Sequence, residues 1–158
     1  MFKVGDKVVY PMHGAGIIEA IEEREVLGER QKYYIMRLPI GDMKVMIPVD
    51  SIDGIGLREV IGEKEVSQVF EILRSEKTKM SSNWNRRYRA NMQKIKSGDI
   101  FEVAEVVRNL MQRDKEKGLS TGERKMLDNA RQILISELVL AKNLEEEQVS
   151  SMLDQILA

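Results

Sequence analysis

The chain has 158 residues with one histidine and no cysteine, and 42% of its side chains are hydrophobic and 32% charged. This composition is typical of a globular protein with one ordinary or two small domains, and it excludes disulfides and thiolate metal sites. The formal net charge is -1, so any nucleic-acid affinity has to come from charge segregation rather than overall basicity. The absence of an apolar run of about 18 residues and of a signal-peptide pattern predicts a cytoplasmic protein.

Short β-like runs separated by glycine and proline fill the first 62 residues. Strands are predicted at 7–10, 16–23, 32–38 and 44–47, with a last short strand near 57–60. This spacing predicts a first domain, residues 1–62, that is a small antiparallel β-barrel of the Tudor or SH3 type. Arg24 lies toward the hairpin tip, where it can reach an exposed strand edge that binds another protein. The alternative is a charge that only protects the edge from aggregation.

After Gly62 the apolar period changes from two to 3.6, which predicts a second domain, residues 63–158, built as a compact bundle of about five helices. The overall class is therefore α+β. The predicted helices cover 63–73, a segment that begins after Ser82 or Asn83, residues 99–117, a segment with a capping box of Ser120 and Glu123, and an acidic segment from Asn143.

Positive charge is concentrated at the start of this second domain. Residues 1–62 carry eight Lys or Arg against ten Asp or Glu, and residues 137–158 carry one cation against five acids. Between residues 74 and 96 only Glu76 opposes eight cations, which are Arg74, Lys77, Lys79, Arg86, Arg87, Arg89, Lys94 and Lys96. A basic segment around an aromatic residue is what a protein needs to hold a phosphate backbone and press a ring against bases.

Trp84, the single tryptophan, falls in the first turn of the second predicted helix. Tyr88, Met92 and Ile95 continue its face at helical spacing, which favours a core tryptophan beside a solvated basic face. A first-turn residue can also project past the neighbouring helices, so an exposed ring stays open as the alternative. Two sets of cations flank these positions: the solvent-facing row of Arg86, Arg89 and Lys96, and the pair of Arg124 and Lys125 on a later helix.

No catalytic constellation can be assembled from these residue types. His13 lies in a turn after Pro11 and lacks partners for nucleophilic catalysis or for a metal site. The sequence therefore predicts a protein that is not an enzyme and that uses no cofactor, no metal and no small-molecule substrate.

Three motifs stand in order along the chain: Val-Gly-Asp-Lys-Val-Val-Tyr-Pro-x-His-Gly at residues 4–14, Asn-Trp-x-Arg-Arg-Tyr at 83–88 and Gly-Leu-Ser-x-Gly-Glu at 118–123. Together they strongly resemble the CarD/CdnL family of bacterial transcription regulators, over essentially the whole chain. The resemblance implies that the Tudor-like domain binds the lobe of the RNA polymerase beta subunit. It also implies that the helical domain contacts promoter DNA at the upstream edge of the melted region and stabilises the open complex.

By this resemblance, Trp84 is a wedge that enters the minor groove at the fork. Arg24 falls where relatives use an arginine against polymerase, and Met46 stands where some relatives have a second such arginine. Candidate phosphate contacts, which position a protein without reading sequence, are Arg86, Arg87, Arg89, Arg124 and Lys125. The alternative function is a protein-interaction adaptor on polymerase whose basic face binds another protein.

Overall fold

The computed structural model describes residues 1–158 as an antiparallel β-sheet followed by a group of helices. The strands are β1 (Lys7–Tyr10), β2 (Gly14–Val26), β3 (Glu29–Leu38), β4 (Met43–Pro48) and β5 (Arg58–Glu59). The helices are α1 (Ile52–Ile55), α2 (Glu63–Arg74), α3 (Trp84–Lys96), α4 (Ile100–Lys117), α5 (Thr121–Lys142) and α6 (Glu146–Leu157). None of them combines the length and apolar character needed to span a bilayer.

The five strands form one sheet in the order β4-β3-β2-β1-β5. The predicted five-stranded antiparallel sheet is confirmed, but β4 and β5 are unpaired edges, so closure into a barrel is not seen. Strands β2 and β3 are longer than predicted and end in a ribbon whose turn, Leu27 and Gly28, has φ values of 55° and 80°. Sequence patterning missed this extension because the added pairs, such as Glu25 with Arg30, are mostly charged or polar and show no apolar alternation.

The two faces of the sheet have different neighbours. One face buries Ile18, Tyr34, Met36 and Ile47 completely in a small core of its own. The opposite face places Val9 and Ala15 against Leu140 of α5. Since residues paired in an antiparallel register share a face, this second face continues through the cross-strand row of Ala20, Ile35 and Met46.

Helices α2 to α6 surround a core of 21 buried apolar residues, which confirms the predicted group of five helices after Gly62. The short helix α1 is additional, and its four residues offer no helical repeat for sequence analysis to detect. The predicted start of the last helix was wrong. Asn143 ends α5 with a φ of 54°, a left-handed conformation that asparagine tolerates. Helix α6 begins at Glu146, after a capping box of Glu145 and Gln148.

Helix α5 joins the sheet to the other helices through buried polar contacts. Glu137, which is fully buried, accepts two 2.7 Å hydrogen bonds from the Arg58 guanidinium of β5 and one of 2.9 Å from the Ile61 N–H. The Ala15 N–H donates to the Ser136 hydroxyl at 2.8 Å. Because buried polar groups are costly to leave unpaired, these bonds fix the sheet on α5. We call this contact the α5 joint.

The Tyr-Pro-x-His-Gly motif lies at the α5 joint. A side chain at Gly14, where φ is 108°, would place its Cβ 2.7 Å from the Ser136 hydroxyl, so only glycine fits. The Pro11 ring lies against Gly98, which follows α3, and the Arg58 Nε donates to the Gly98 carbonyl at 2.8 Å. The carboxyl end of α3 is therefore attached to the same joint.

Candidate nucleic-acid interface

Trp84 is the first residue of α3 and lies at the protein surface, with 41% of the residue exposed. The preceding Asn83 caps the helix, because its side-chain oxygen accepts a 3.1 Å hydrogen bond from the Arg86 N–H. The cap fixes the first turn and with it the position of the tryptophan backbone. The ring therefore stands at a helix start, and the buried residues of α3, which are Arg87, Asn91 and Ile95, follow it at successive turns.

Three contacts hold the indole ring in place. Tyr88 stacks on one face, with ring centroids 4.9 Å apart and planes 18° from parallel. The indole Nε1 donates to the Ser120 hydroxyl at 3.0 Å. Gly122 lies beneath the ring, and a Cβ there would be 3.4 Å from the Trp84 Cζ2 atom. The indole is thus oriented by the start of α5 while two fifths of the residue stays open to a ligand.

The Ser-x-x-Glu spacing predicts only a capping role for Ser120 and gives no role to Gly122. The signal that could have found them is the Gly-Leu-Ser-x-Gly-Glu motif, which accompanies the tryptophan motif.

Arg87 does not belong to the exposed surface. It is 3% exposed, and its Nε and Nη2 donate to the two Glu123 carboxylate oxygens at 2.8 and 3.2 Å. Its Nη1 donates to the Ser81 carbonyl at 3.0 Å. Arg87 therefore ties α3 to α5 and to the loop before α3, and its burial leaves no room for a phosphate. Arg87 is therefore removed from the predicted set of phosphate contacts.

The Glu123 carboxyl is ionised at neutral pH despite its burial. Burial acts to raise its pKa, but the hydrogen bond and the charge of Arg87, together with Arg113 and the Ser120 hydroxyl, hold the pKa below its ordinary value. The Glu123 N–H donates to the Ser120 hydroxyl at 3.2 Å, as a cap predicts. The carboxylate accepts hydrogen bonds from Arg87 and, at 3.3 Å, from the Ser120 hydroxyl, but none from the Ser120 N–H, so the predicted capping box is only half formed.

The remaining predicted cations differ in their partners. Arg86 and Arg89 are exposed on α3, Lys125 is exposed on α5, and none of the three forms an ion pair. Arg124, close to Lys125, pairs with Asp114 at 2.8 Å and is 53% exposed. The structure thus gathers unneutralised positive charge beside Trp84 on α3 and on the first turns of α5, whose start contacts the indole.

Arg24 and Met46, the two predicted polymerase contacts, share the sheet face that also contacts α5. Arg24 lies on the β2–β3 ribbon and pairs with Glu22 at 2.7 Å. Met46 lies on β4, is 40% exposed, and stands opposite Ile35 in the register. Strand β4 pairs only with β3, so the backbone groups on its outer side are free for another strand. These two residues belong to a surface distinct from the one around Trp84.

Comparison with known proteins covers both parts of the chain. Residues 2–61 match the family described as the CarD-like/TRCF RID domain, and residues 68–154 match the one described as CarD, C-terminal domain. YdeB of Bacillus subtilis (strain 168), which carries the name of a transcription factor, is 48% identical over 151 residues that cover 96% of this chain and 99% of YdeB.

Two solved structures from Myxococcus xanthus are also similar to part of the chain. The 72-residue N-terminal domain of CarD is 36% identical, with a TM-score of 0.33, and the match covers 37% of this chain and 79% of that one. The structure named CdnLNt is 46% identical, with a TM-score of 0.35, and the match covers 40% and 89%.

An aromatic side chain held at the surface among unpaired cations, in a chain whose two family matches and near-full-length relative are of transcription proteins, defines a transcription regulator and not an enzyme. The chain belongs to the CarD/CdnL family. The resemblance found in its three motifs is thereby confirmed.

Proposed function

We propose that this protein docks on the lobe of the RNA polymerase beta subunit through its β-sheet and stabilises the open promoter complex by inserting Trp84 into the minor groove at the upstream edge of the bubble. The observation that carries this proposal is the half-exposed indole, supported on one face by Tyr88 and tied at its edge to Ser120. A side chain fixed in this way loses little further freedom when it binds.

The wedge acts on DNA that is already melting. Unstacking a base step requires a few kcal/mol, so insertion is most favourable at a fork where stacking is already broken. A protein that binds the open complex better than the closed one shifts that equilibrium by its differential affinity, without catalysis. Trp84 would supply this difference, since its exposed surface can stack only on a base that the duplex no longer covers.

Phosphate contacts would come from Arg86, Arg89 and Lys125, which are the predicted contacts that are exposed and form no ion pair. Arg124 would join them by exchanging Asp114 for a phosphate. Such contacts position a protein on DNA and read no sequence, so binding is expected to be largely independent of promoter sequence. Arg87 would act indirectly, since its pairing with Glu123 keeps α3 in place.

Docking would use the free outer side of β4, where main-chain groups can pair with a strand of the partner. Arg24 would provide a charged contact and Met46 an apolar one on the adjoining sheet face. Met46 lies opposite Ile35 and Arg24 lies opposite Gln31 in the register of β3. These two positions of β3 are four residues apart, which corresponds to roughly 13 Å along the strand at about 3.3 Å per residue. That separation suits contacts with a single surface of the partner.

The test measures the lifetime of open complexes against protein concentration. Arg24→Glu should raise the protein concentration at which the open-complex lifetime is half-maximal, because it weakens docking. At excess protein this variant should still give the full lifetime. Trp84→Ala should lower the lifetime at saturation, because excess protein cannot replace the missing ring. Combining the two substitutions should give both effects.

Arg30→Glu is the matched control for Arg24→Glu, since Arg30 is also an exposed arginine of the β2–β3 ribbon, but it lies opposite Glu25 in the register and therefore on the other face of the sheet. It should leave the concentration dependence unchanged. A Trp84→Ala protein that reaches the full lifetime at saturation would remove the wedge. Equal effects of the two arginine variants would remove the proposed docking contact and favour an electrostatic effect of the whole sheet.

A further inference from the structure

A shallow groove runs along α3 beside Trp84. It has a volume of about 220 Å³ and is lined by Tyr88, Arg89, Met92, Gln93 and Lys96. Tyr88 and Met92 are half-buried and form an apolar floor, whereas the other three side chains are exposed and form a polar rim. The groove therefore offers an apolar surface with hydrogen-bonding and charged groups along it.

The charge of the groove has one sign. No acidic side chain lines it, and neither Arg89 nor Lys96 forms an ion pair. Lys94 and Lys77, cations of the same basic segment, are neutralised by Glu105 and Glu116 and lie outside it. The groove is thus suited to a ligand that is both apolar and anionic.

The groove also has a direction. Helix α3 begins at Trp84 and ends at Lys96, and Gly98 beyond it contacts Arg58 and Pro11 at the α5 joint. Twelve residues at 1.5 Å each place Lys96 roughly 18 Å along the axis from Trp84. A chain lying in the groove would therefore run from the indole toward the sheet.

We infer that this groove binds the unpaired DNA strand that leaves the fork at Trp84, with bases on Tyr88 and Met92 and phosphates at Arg89 and Lys96. The inference rests on the proposed function for the place of the fork. Aromatic and apolar side chains beside a line of cations are the usual means of holding single-stranded DNA. Duplex DNA would leave the apolar floor unused, because its bases are covered by stacking. The strand would run toward the proposed docking domain, and hence toward the bubble.

The experiment uses the full-length protein at low salt and a labelled hairpin duplex that carries no, two or six unpaired thymidines on either strand. An arm of six thymidines on one of the two strands should tighten binding about five-fold or more relative to the blunt duplex. This factor corresponds to the free energy of a single base stacked on an aromatic side chain. Gln93→Glu, which places a like charge beside the phosphates, should abolish that gain, measured as the ratio of the affinities for the armed and the blunt duplex. Gln68→Glu is the matched control, because Gln68 is an exposed glutamine on α2, outside the groove, and it should retain the gain.

Lys96→Gln tests the length of the path. At the stacked spacing of about 3.4 Å per nucleotide, roughly five nucleotides would separate Trp84 from Lys96, and an unstacked strand spans the distance with fewer but more than two. This variant should therefore weaken binding of the six-thymidine arm and leave the two-thymidine arm unaffected. An acidic peptide that competes as well as oligothymidine would overturn the inference in favour of a nonspecific anion surface.

The outcomes separate this inference from the proposed function. Binding that is indifferent to unpaired arms but still weakened by Trp84→Ala would overturn the groove and leave the wedge standing. An arm-dependent gain in a protein whose binding ignores Trp84→Ala would support the groove and remove the wedge. If Gln93→Glu and Gln68→Glu both lose the tighter binding that the unpaired arm gives, the inference about the groove is also overturned, because the effect would then depend on net charge alone.

Discussion

Trp84→Ala should weaken folding by an amount that lies between the values for surface and core residues. With 41% of the residue exposed, roughly 100 Å² of buried ring surface is lost with the side chain, which corresponds to about 2.5 kcal/mol at 25 cal/mol per Å² as an upper estimate. A surface substitution costs about 0.5 kcal/mol, and a core tryptophan costs about 3–5 kcal/mol. The stacking on Tyr88 and the bond to Ser120 explain why even an exposed ring contributes.

A loss of about 2 kcal/mol should lower the melting temperature by about 6 °C in a chain of this size, which leaves the protein folded at assay temperature. The open-complex lifetime at saturating protein should fall about ten-fold, because one base–aromatic stack contributes about 1–3 kcal/mol. Thermal unfolding by circular dichroism and decay of open complexes after a competitor challenge measure the two effects separately.

Trp84→Phe is the control for these two measurements, because phenylalanine keeps a ring over Tyr88 but cannot donate to Ser120. It should keep part of the lifetime and most of the stability. The reasoning is refuted if Trp84→Ala lowers the melting temperature by about 12 °C or more, the range of a core residue, with the decay explained by unfolded protein. It is also refuted if the decay rate is unchanged at a modestly lowered melting temperature.

Three further variants test individual contacts. Arg89→Ala should weaken DNA binding equally for all sequences and lower the salt slope of the affinity by about 0.9; a loss confined to some sequences, in anisotropy titrations at several salt concentrations, would indicate base readout instead. Glu123→Gln should cost about 3 kcal/mol at neutral pH by leaving Arg87 buried without its counter-charge. The lowered pKa of Glu123 stabilises the fold above the unfolded-state pKa, and this contribution is lost as pH falls through the folded-state pKa. The difference in the free energy of unfolding between the unsubstituted protein and Glu123→Gln, measured in urea, should therefore become smaller in acid. A difference that does not change with pH would contradict the pairing of Glu123 with Arg87. Glu137→Gln should loosen the contact with Arg58 and speed hydrogen exchange at residues 58–62, and unchanged protection there would show that apolar packing alone holds the α5 joint.

The positions of most strands and helices could be predicted from the sequence because their signals are local. Short apolar runs bounded by turn residues mark β1 and β4, and Asn83 and Asp99 cap α3 and α4 as their residue types predict. Closure of the sheet could not be predicted in this way. It depends on whether the edge strands meet, and β5 has only two residues with which to meet a neighbour.

The fate of the arginines shows where sequence reasoning about the site stops. Arg86, Arg87 and Arg89 have the same chemistry and nearly the same place in the chain, yet only Arg87 is buried. What separates them is Glu123, which lies 36 residues further on and faces α3 only after α5 packs against it. A buried ion pair of this kind is set by tertiary structure, so no spacing rule within α3 identifies it.

Helix α5 connects the proposed wedge to the proposed docking surface. Ser120 at its start holds the indole, and Ser136 holds the sheet 16 residues later, roughly 24 Å away at 1.5 Å per residue. Each of the three sequence motifs therefore meets this helix: the first at the α5 joint, the second through Trp84 and Arg87, and the third as the start of the helix itself. A sheet bound to polymerase would present the ring at a nearly fixed distance and so at a high effective concentration. Weak, salt-dependent DNA contacts then suffice for a protein whose net charge is only -1.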